Sequence, residues 1–230
     1  MLIAACPNRF NNGVAPIVFP RDGEQAALFA FDGSGSWGSG AETTAWFREW
    51  IAATVRDSDD LTPEAVNETL VAAIRELPSD LTDCDFGWTF SLAVILCRQD
   101  TVHVAASGSF AAIALNSRGI ERLVVPTRLV DELVAHGTIS AEEAETHRYR
   151  RIICSPCFGA DNLPRLIWSQ PISWAPGDRI ALGDAALPRF LETRDFRLDP
   201  NNPIQLRDAV ERYGGSSTST AIVGFPACSG

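Results

Sequence analysis

Apolar residues recur along the chain with two different spacings, which predict strands and helices in alternation. Alternating apolar positions, typical of strands, occur at 14–19, 26–31, 90–96, 102–106, 110–115, 120–125, 151–154, 165–173, 178–182 and 220–225. Helical spacing occurs from about Ala41, from Thr62, over 127–135, from Ser140 and over 205–213. This order lacks long parallel crossover connections, so we predict an α+β fold in which helices cover antiparallel sheets.

Two of the predicted helices carry start signals. Thr62 offers a capping hydroxyl and is followed by Pro63, a residue well suited to the first helical position. Ser140 is followed three residues later by Glu143, which is the spacing of a capping box. We therefore expect a helix to begin at each of these two places.

The composition is that of an ordinary globular protein with an acidic surface. The chain has 230 residues, a hydrophobic fraction of 46%, a net charge of −10 and no lysine. Such a charge argues against nucleic acid or an anionic membrane as the main partner. We find no linker or repeat, no signal peptide and no apolar run of membrane-spanning length. The sequence thus predicts a single domain over residues 1–230 and a cytoplasmic location.

Six cysteines are scattered along the chain, and two of them form a C-x-x-C motif at Cys154 and Cys157. A redox pair or half of a zinc site would explain this spacing, but a second C-x-x-C or C-x-x-H does not follow and a βαβ pattern does not precede it. We favour the simpler interpretation that these are two thiols at the end of a strand.

The segment 28–35 ends an apolar run with one carboxylate, Asp32, directly before Gly33. A buried strand can in this way deliver a metal-binding Asp to its exposed tip. The same Asp could instead stabilise a tight turn by accepting backbone N–H bonds. A hard cation needs about six oxygen ligands, usually with more than one carboxylate, so the other ligands must come from elsewhere in the chain.

Several further segments occur in a recognisable order. They are Gly87-Trp88-Thr89, Val104 to Ala112, Leu129 to His147, Ile152 to Gly159 and Pro176-Gly177-Asp178-Arg179. Together with 29–35 they resemble the motifs of the metal-dependent protein Ser/Thr phosphatases of the protein phosphatase 2C (PPM) family, from about residue 8 to residue 225. The resemblance implies a four-layer α-β-β-α sandwich of two antiparallel sheets flanked by helices. It also implies a site at one sandwich edge, where acidic residues bind two Mg²⁺ or Mn²⁺ ions that activate a water to hydrolyse phosphoserine or phosphothreonine.

The family's metal ligands are matched only in part. Asp32 corresponds to the Asp of the family's D-G-x-G-G motif, and Gly33 follows with its backbone carbonyl. At a later D-G motif, an ungapped comparison places Ala185 at the Asp position, whereas a one-residue deletion places Asp184 there. The resemblance therefore implies a residual metal site of Asp32, Gly33 and Asp184.

Neutral residues stand at the family's other acidic positions. Asn12 takes the place of an acidic residue near the first strand, Ser109 replaces the Asp of G-D-S-R-A, and Ser217 and Thr218 replace the final D-N. Two divalent ions roughly 3.5–4 Å apart repel each other strongly, and neutral hydroxyls and amides do not supply the compensating charge. We therefore expect no cofactor, or Mg²⁺ or Mn²⁺ bound at most weakly.

These observations predict a catalytically inactive PPM-like protein, a pseudophosphatase, that acts by binding a protein partner such as a kinase, a phosphoprotein or another component of a bacterial signalling or modification cluster. The alternative is a weak metal-dependent phosphoserine/phosphothreonine phosphatase with a reduced metal site. A third class, a redox or zinc module built on Cys154 and Cys157, ranks below both.

Five residues near the predicted cleft are candidates for phosphate or partner contact. They are Arg9, Asn12, Trp37, Ser217 and Thr218. Arg9 corresponds loosely to a phosphate-binding Arg of the family, and Trp37 is a large aromatic residue in a glycine-rich loop. Away from the cleft, a basic run from His147 to Arg151 is either a solvated face or a contact for an acidic or phosphorylated partner.

Overall fold

A computed structural model of the chain describes residues 2–6, 16–20, 25–33, 40–56, 58, 61–82, 89–98, 101–150, 152–154, 158–159, 166–193, 204–205, 208 and 220–224. The strands are β1 (Leu2–Cys6), β2 (Ile17–Pro20), β3 (Gln25–Gly33), β4 (Thr89–Arg98), β5 (Thr101–Ser107), β6 (Phe110–Asn116), β7 (Gly119–Val124), β8 (Phe158–Gly159), β9 (Ile167–Trp168), β10 (Ile172–Ser173), β11 (Arg179–Asp184) and β12 (Thr220–Gly224). The helices are α1 (Gly40–Arg56), α2 (Pro63–Arg75), α3 (Ser79–Thr82), α4 (Leu129–Ala135), α5 (Ala141–Thr146) and α6 (Leu187–Thr193).

The described strands form two antiparallel sheets. The first has the order β1-β12-β11-β6-β7, and the second has the order β10-β5-β4-β3-β2, with β8 also paired to β4 and β9 also paired to β5. The chain passes from the second sheet to the first between β5 and β6, through Gly108 and Ser109. Gly108 has a φ of 69°, a left-handed conformation that glycine adopts at little cost.

Three groups of buried side chains separate four layers. The first lies between α1, α2 and the second sheet and includes Phe47, Leu70 and Leu92. The second lies between the two sheets and includes Ile95 and Ile180. The third packs α6 on the outer face of the first sheet. The layers are therefore helix, sheet, sheet and helix, which confirms the predicted α-β-β-α sandwich.

The predicted helix starts are also confirmed. The Thr62 side chain accepts a hydrogen bond of 3.1 Å from the Ala65 N–H, directly before α2. The Ser140 side chain accepts from the Glu143 N–H at 3.1 Å, and the Glu143 carboxylate accepts from the Ser140 N–H at 2.7 Å. The reciprocal pair is a capping box, and these hydrogen bonds lower the pKa of Glu143.

Several elements differ from the prediction. The strand expected over 165–173 is two short strands, because β9 and β10 pair with different parts of β5 and Ser169 bonds to Val104 between them. The strand expected near 151–154 is a single bridge between Ile153 and Arg128. The elements β1, α3, β8 and α6 were not predicted, and most of the helix expected over 205–213 lies outside the described residues.

None of the helices in the described part of the chain is both long and apolar enough to span a membrane.

Candidate site at the end of strand β3

Asp32 lies near the end of β3, a strand that is buried over most of its length. Phe29, Ala30 and Phe31 are fully buried, whereas Asp32 is only half-buried. Because alternate side chains of β3 enter the helix-covered core and the core between the sheets, both faces of the strand are packed. This packing fixes the position of the Asp32 backbone at the tip of the strand.

Two serines hold polar atoms next to Asp32. Ser91 lies opposite Asp32 in the β3–β4 register, and Ser109 lies in the connection between β5 and β6. The Ser109 hydroxyl donates to the Asp32 Oδ2 atom at 3.3 Å. The Ser109 N–H donates to the Ser91 hydroxyl oxygen at 3.0 Å, and the two hydroxyl oxygens are 3.1 Å apart. Asp32, Ser91 and Ser109 thus form one hydrogen-bonded group, which we call the Asp32 network.

A third serine supports this network from the adjacent strand. The buried Ser107 side chain accepts a hydrogen bond of 3.3 Å from the Leu92 N–H. Phe110, which directly follows Ser109, is fully buried between the two sheets. Ser109 is therefore held between strand ends whose positions are set by the core, so its contact with Asp32 does not depend on a loop alone.

The backbone of Asp184 lies at the same end of the sandwich. Asp184 ends β11 and pairs with Phe110, the residue next to Ser109. The strand ends that carry Asp32, Ser109 and Asp184 are therefore close together, although they belong to different sheets. The side chain of Asp184 lies outside the described atoms.

The other candidate contact residues lie outside the described residues. They are Arg9, Asn12, Trp37, Ser217 and Thr218. Cys157 also lies outside, whereas Cys154 is an exposed free thiol. The predictions made for these residues stay predictions. A different cysteine, Cys97, is buried on β4, and burial raises its pKa to about 12, so this thiol stays protonated at neutral pH.

Contact between Ser109 and Asp32 was not predicted from the sequence. The motif comparison identified Ser109 as the residue at an acidic position, but gave no reason to pair it with Asp32 or to include Ser91. Both pairings follow from the β3–β4 register and from the path between β5 and β6, which are tertiary features. A clue was present in the sequence, since Asp32 and Ser109 both match metal-site motifs of the same family.

The described donors around Asp32 are poor ligands for a pair of divalent cations. They comprise one carboxylate and neutral hydroxyl groups, and one of these hydroxyls already donates to the carboxylate. Across the described residues, His, Cys, Asp and Glu side chains do not gather in any group of three or more that could hold a metal ion. Two close dications require several anionic oxygens to offset their repulsion.

Comparison with known proteins gives a match in structure but not in sequence. No family model and no curated protein sequence matches this chain. A serine/threonine phosphatase from S. agalactiae matches with a TM-score of 0.69 and 16% identity, covering 98% of each chain. The PPM Ser-Thr phosphatase MsPP from Mycobacterium smegmatis matches with a TM-score of 0.65 and 20% identity, covering 98% of this chain and 97% of that one. This chain has the PPM phosphatase fold.

A further matching structure with the PPM fold contains metal ions. The catalytic domain of the phosphatase PstP, in complex with two manganese ions, matches with a TM-score of 0.62 and 18% identity, covering 96% of this chain and 94% of that one. At such identities the match establishes the PPM fold.

Proposed function

We propose that this chain is a catalytically inactive PPM-fold protein that acts by binding a protein partner. The observation that carries the proposal is the Asp32 network, in which the Ser109 hydroxyl donates to the Asp32 carboxylate near the tip of β3. Ser109 occupies the place of an acidic residue in the G-D-S-R-A motif. The exchange removes a negative charge at the point where a metal-dependent phosphatase needs it.

The missing negative charge matters most for the second metal ion. The hydroxyl that donates to Asp32 occupies one acceptor position of that carboxylate, and it adds no negative charge of its own. Two dications roughly 3.5–4 Å apart then lack the anionic oxygens that would hold them together. Without the metal pair, the water that would attack phosphorus is not activated, so the protein retains the fold without the reaction.

The direct test measures turnover and metal binding on the same preparation. We expect no hydrolysis of p-nitrophenyl phosphate or of a phosphoserine peptide in millimolar Mn²⁺, and no heat from a micromolar site in a calorimetric titration with Mn²⁺. Metal-dependent turnover that disappears in Asp32→Ala would disprove the proposal.

A variant that adds a negative charge beside Asp32 gives a second test, in which Mn²⁺ binding is expected to increase. We expect Ser109→Asp to bind Mn²⁺ more tightly than the unmodified chain by on the order of tenfold, which corresponds to about 1.4 kcal/mol, because it adds an anionic oxygen next to Asp32. Ser173→Asp is the matched control, since Ser173 is exposed on β10 and pairs with Thr101, at the opposite end of β5 from Ser107. Equal Mn²⁺ binding by both variants would show that charge at position 109 is not what limits the site.

The partner in this proposal is a protein, such as a kinase, a phosphoprotein or a component of a bacterial signalling or modification cluster. The net charge of −10 supports a protein partner over nucleic acid or an anionic membrane surface, and the location we propose is the cytoplasm. Affinity purification of the tagged chain from its native host, with Asp32→Ala in parallel, tests whether a partner is held through the cleft.

A weak metal-dependent phosphatase is the second candidate, favoured by the convergence of strand ends. Asp184 ends a strand beside the connection that carries Ser109, so Asp32, the Gly33 carbonyl and Asp184 could share a single ion. A micromolar Mn²⁺ site in calorimetry that is lost in Asp184→Asn would favour this candidate over the inactive protein.

A further inference from the structure

The turn after α5 concentrates positive charge in a chain that is strongly acidic overall. Arg148 and Arg150 are both exposed and are separated only by Tyr149, whereas the whole chain carries a net charge of −10. His147 precedes them at the end of α5. We call residues 147–150 the arginine turn. It lies in the segment that contains α4 and α5, away from the Asp32 network in sequence.

Local contacts hold the arginine turn in a defined shape. The Arg148 guanidinium carbon lies 4.4 Å from the centre of the Tyr149 ring, and the Tyr149 and His147 rings are 5.2 Å apart with an edge-to-face geometry. The Arg150 Nη1 atom donates to the His147 carbonyl oxygen at 3.3 Å, and its backbone N–H donates to the same oxygen at 3.1 Å. Both guanidinium groups are therefore positioned before any partner arrives, which reduces the entropy that binding would cost.

The segment after the turn is attached to the start of α4. The Leu129 N–H donates to the Ile152 carbonyl at 2.8 Å, and the Cys154 N–H donates to the Thr127 carbonyl at 2.8 Å. Ile153 lies between these bonds, in the bridge to Arg128. Ile152 itself is 45% exposed, which is high for a large apolar side chain. The arginine turn thus borders an apolar side chain whose backbone is fixed.

Two carboxylates of α4 and α5 are engaged with other groups. Asp131 forms an ion pair with Arg128 at 2.5 Å, and this contact, together with Glu145, raises the pKa of Arg128. Glu143 caps the start of α5 through the Ser140 N–H. Glu142 and Glu145 are the other acidic side chains of α5, and both are exposed. Within the described residues, neither Arg148 nor Arg150 forms an ion pair, so both are available for an external anion.

We propose that the arginine turn docks an acidic peptide segment of a partner protein, with two carboxylates on Arg148 and Arg150 and an apolar side chain on Ile152. Charge complementarity supports an acidic segment as the ligand. Two positioned guanidinium groups present N–H donors in the planar geometry that suits carboxylates. The proposal uses none of the residues of the Asp32 network, so it can be tested whether or not that network binds a metal.

The test uses fluorescence anisotropy of a short labelled peptide rich in Asp and Glu with a central Leu. We expect the complete chain to bind this peptide, and Arg148→Gln combined with Arg150→Gln to weaken binding by about five- to tenfold, as expected for two partly exposed charge-assisted contacts. Binding should also fall as salt rises. Arg118→Gln is the matched control, because Arg118 is an exposed arginine of the β6–β7 turn.

Two results with the acidic peptide and its amide version would overturn the proposal, and a third result concerns a phosphoserine peptide. One is equal affinity of the double variant and the Arg118→Gln control for the acidic peptide, with both variants shown to be folded by circular dichroism. The other is equal binding of the peptide in which Asn and Gln replace Asp and Glu. A phosphoserine version of the uncharged peptide that alone binds would likewise reject an acidic segment as the occupant. The Mn²⁺ and turnover measurements on the cleft are independent of these outcomes.

Discussion

At the scale of single residues, Asp32 shows how neighbours decide what a carboxylate can do. Its place at a strand tip before Gly33 could be predicted from the sequence, because an apolar run that ends in Asp-Gly is a local pattern. The hydroxyl that donates to Asp32 could not be predicted in this way, because Ser109 is 77 residues away and contacts Asp32 from the connection between the two sheets. Local patterns place a residue on its own strand, whereas its partners depend on the pairing of strands.

The Asp32 network also makes a prediction about stability at Ser91. Ser91 is 6% exposed, and its hydroxyl oxygen accepts the Ser109 N–H at 3.0 Å. We expect Ser91→Ala to lower the free energy of unfolding by about 1–3 kcal/mol, because it leaves a partly buried N–H without this acceptor. Urea unfolding followed by circular dichroism measures the change. Ser173→Ala, at an exposed position on β10, is the control and should change the free energy by less than about 0.5 kcal/mol.

At the scale of elements, the long helices and strands followed their sequence patterns, whereas the shortest strands, of two residues each, did not. The helices α1 and α2 have a strong helical period, so local spacing was enough to predict them. The strands β9 and β10 have only two residues each, and they exist because the edge of β5 offers partners at two separate places. A pattern of two residues carries no period, so such strands are defined by tertiary pairing alone.

The start of α2 gives a prediction at this scale. Thr62 supplies the capping oxygen to the Ala65 N–H, so Thr62→Ala should lower the free energy of unfolding by about 1 kcal/mol. Thr54→Ala is the matched control, because Thr54 is exposed inside α1 and alanine is the better helix former there. Thermal unfolding of the two variants compares them directly. A loss of stability that is the same at both positions would mean that the Thr62 cap contributes nothing specific.

At the scale of the whole molecule, the core between the sheets joins strands that are far apart in sequence. Ile95 of β4 and Ile180 of β11 belong to this group, so neither sheet can lose its inner face without exposing the other. The layer order itself was predicted from a resemblance of motifs, since element order alone gave only helices covering antiparallel sheets. Which residues form each of the three packed groups depends on side-chain direction along each strand, and this became visible only in the folded chain.

Because the two sheets share this core, we expect a substitution in it to lower the free energy of unfolding strongly, and we expect the two sheets to unfold together. Ile95 is fully buried between the sheets, so Ile95→Ala should lower the free energy of unfolding by about 2–5 kcal/mol, through lost burial and the cavity that remains. Ile120→Ala makes the same substitution at a 42% exposed position on β7, where we expect less than about 1 kcal/mol. Trp174 lies in the same inter-sheet group, whereas Trp46, Trp50 and Trp168 pack against the helix-covered core, so tryptophan fluorescence reports on both packed groups. Tryptophan fluorescence and far-ultraviolet circular dichroism should give coincident urea transitions in both variants, because the sheets share one packed face. Separate transitions by the two probes, or equal costs at positions 95 and 120, would show that the sheets are stabilised independently and that the inter-sheet core does not hold the ends of β3, β6 and β11 together.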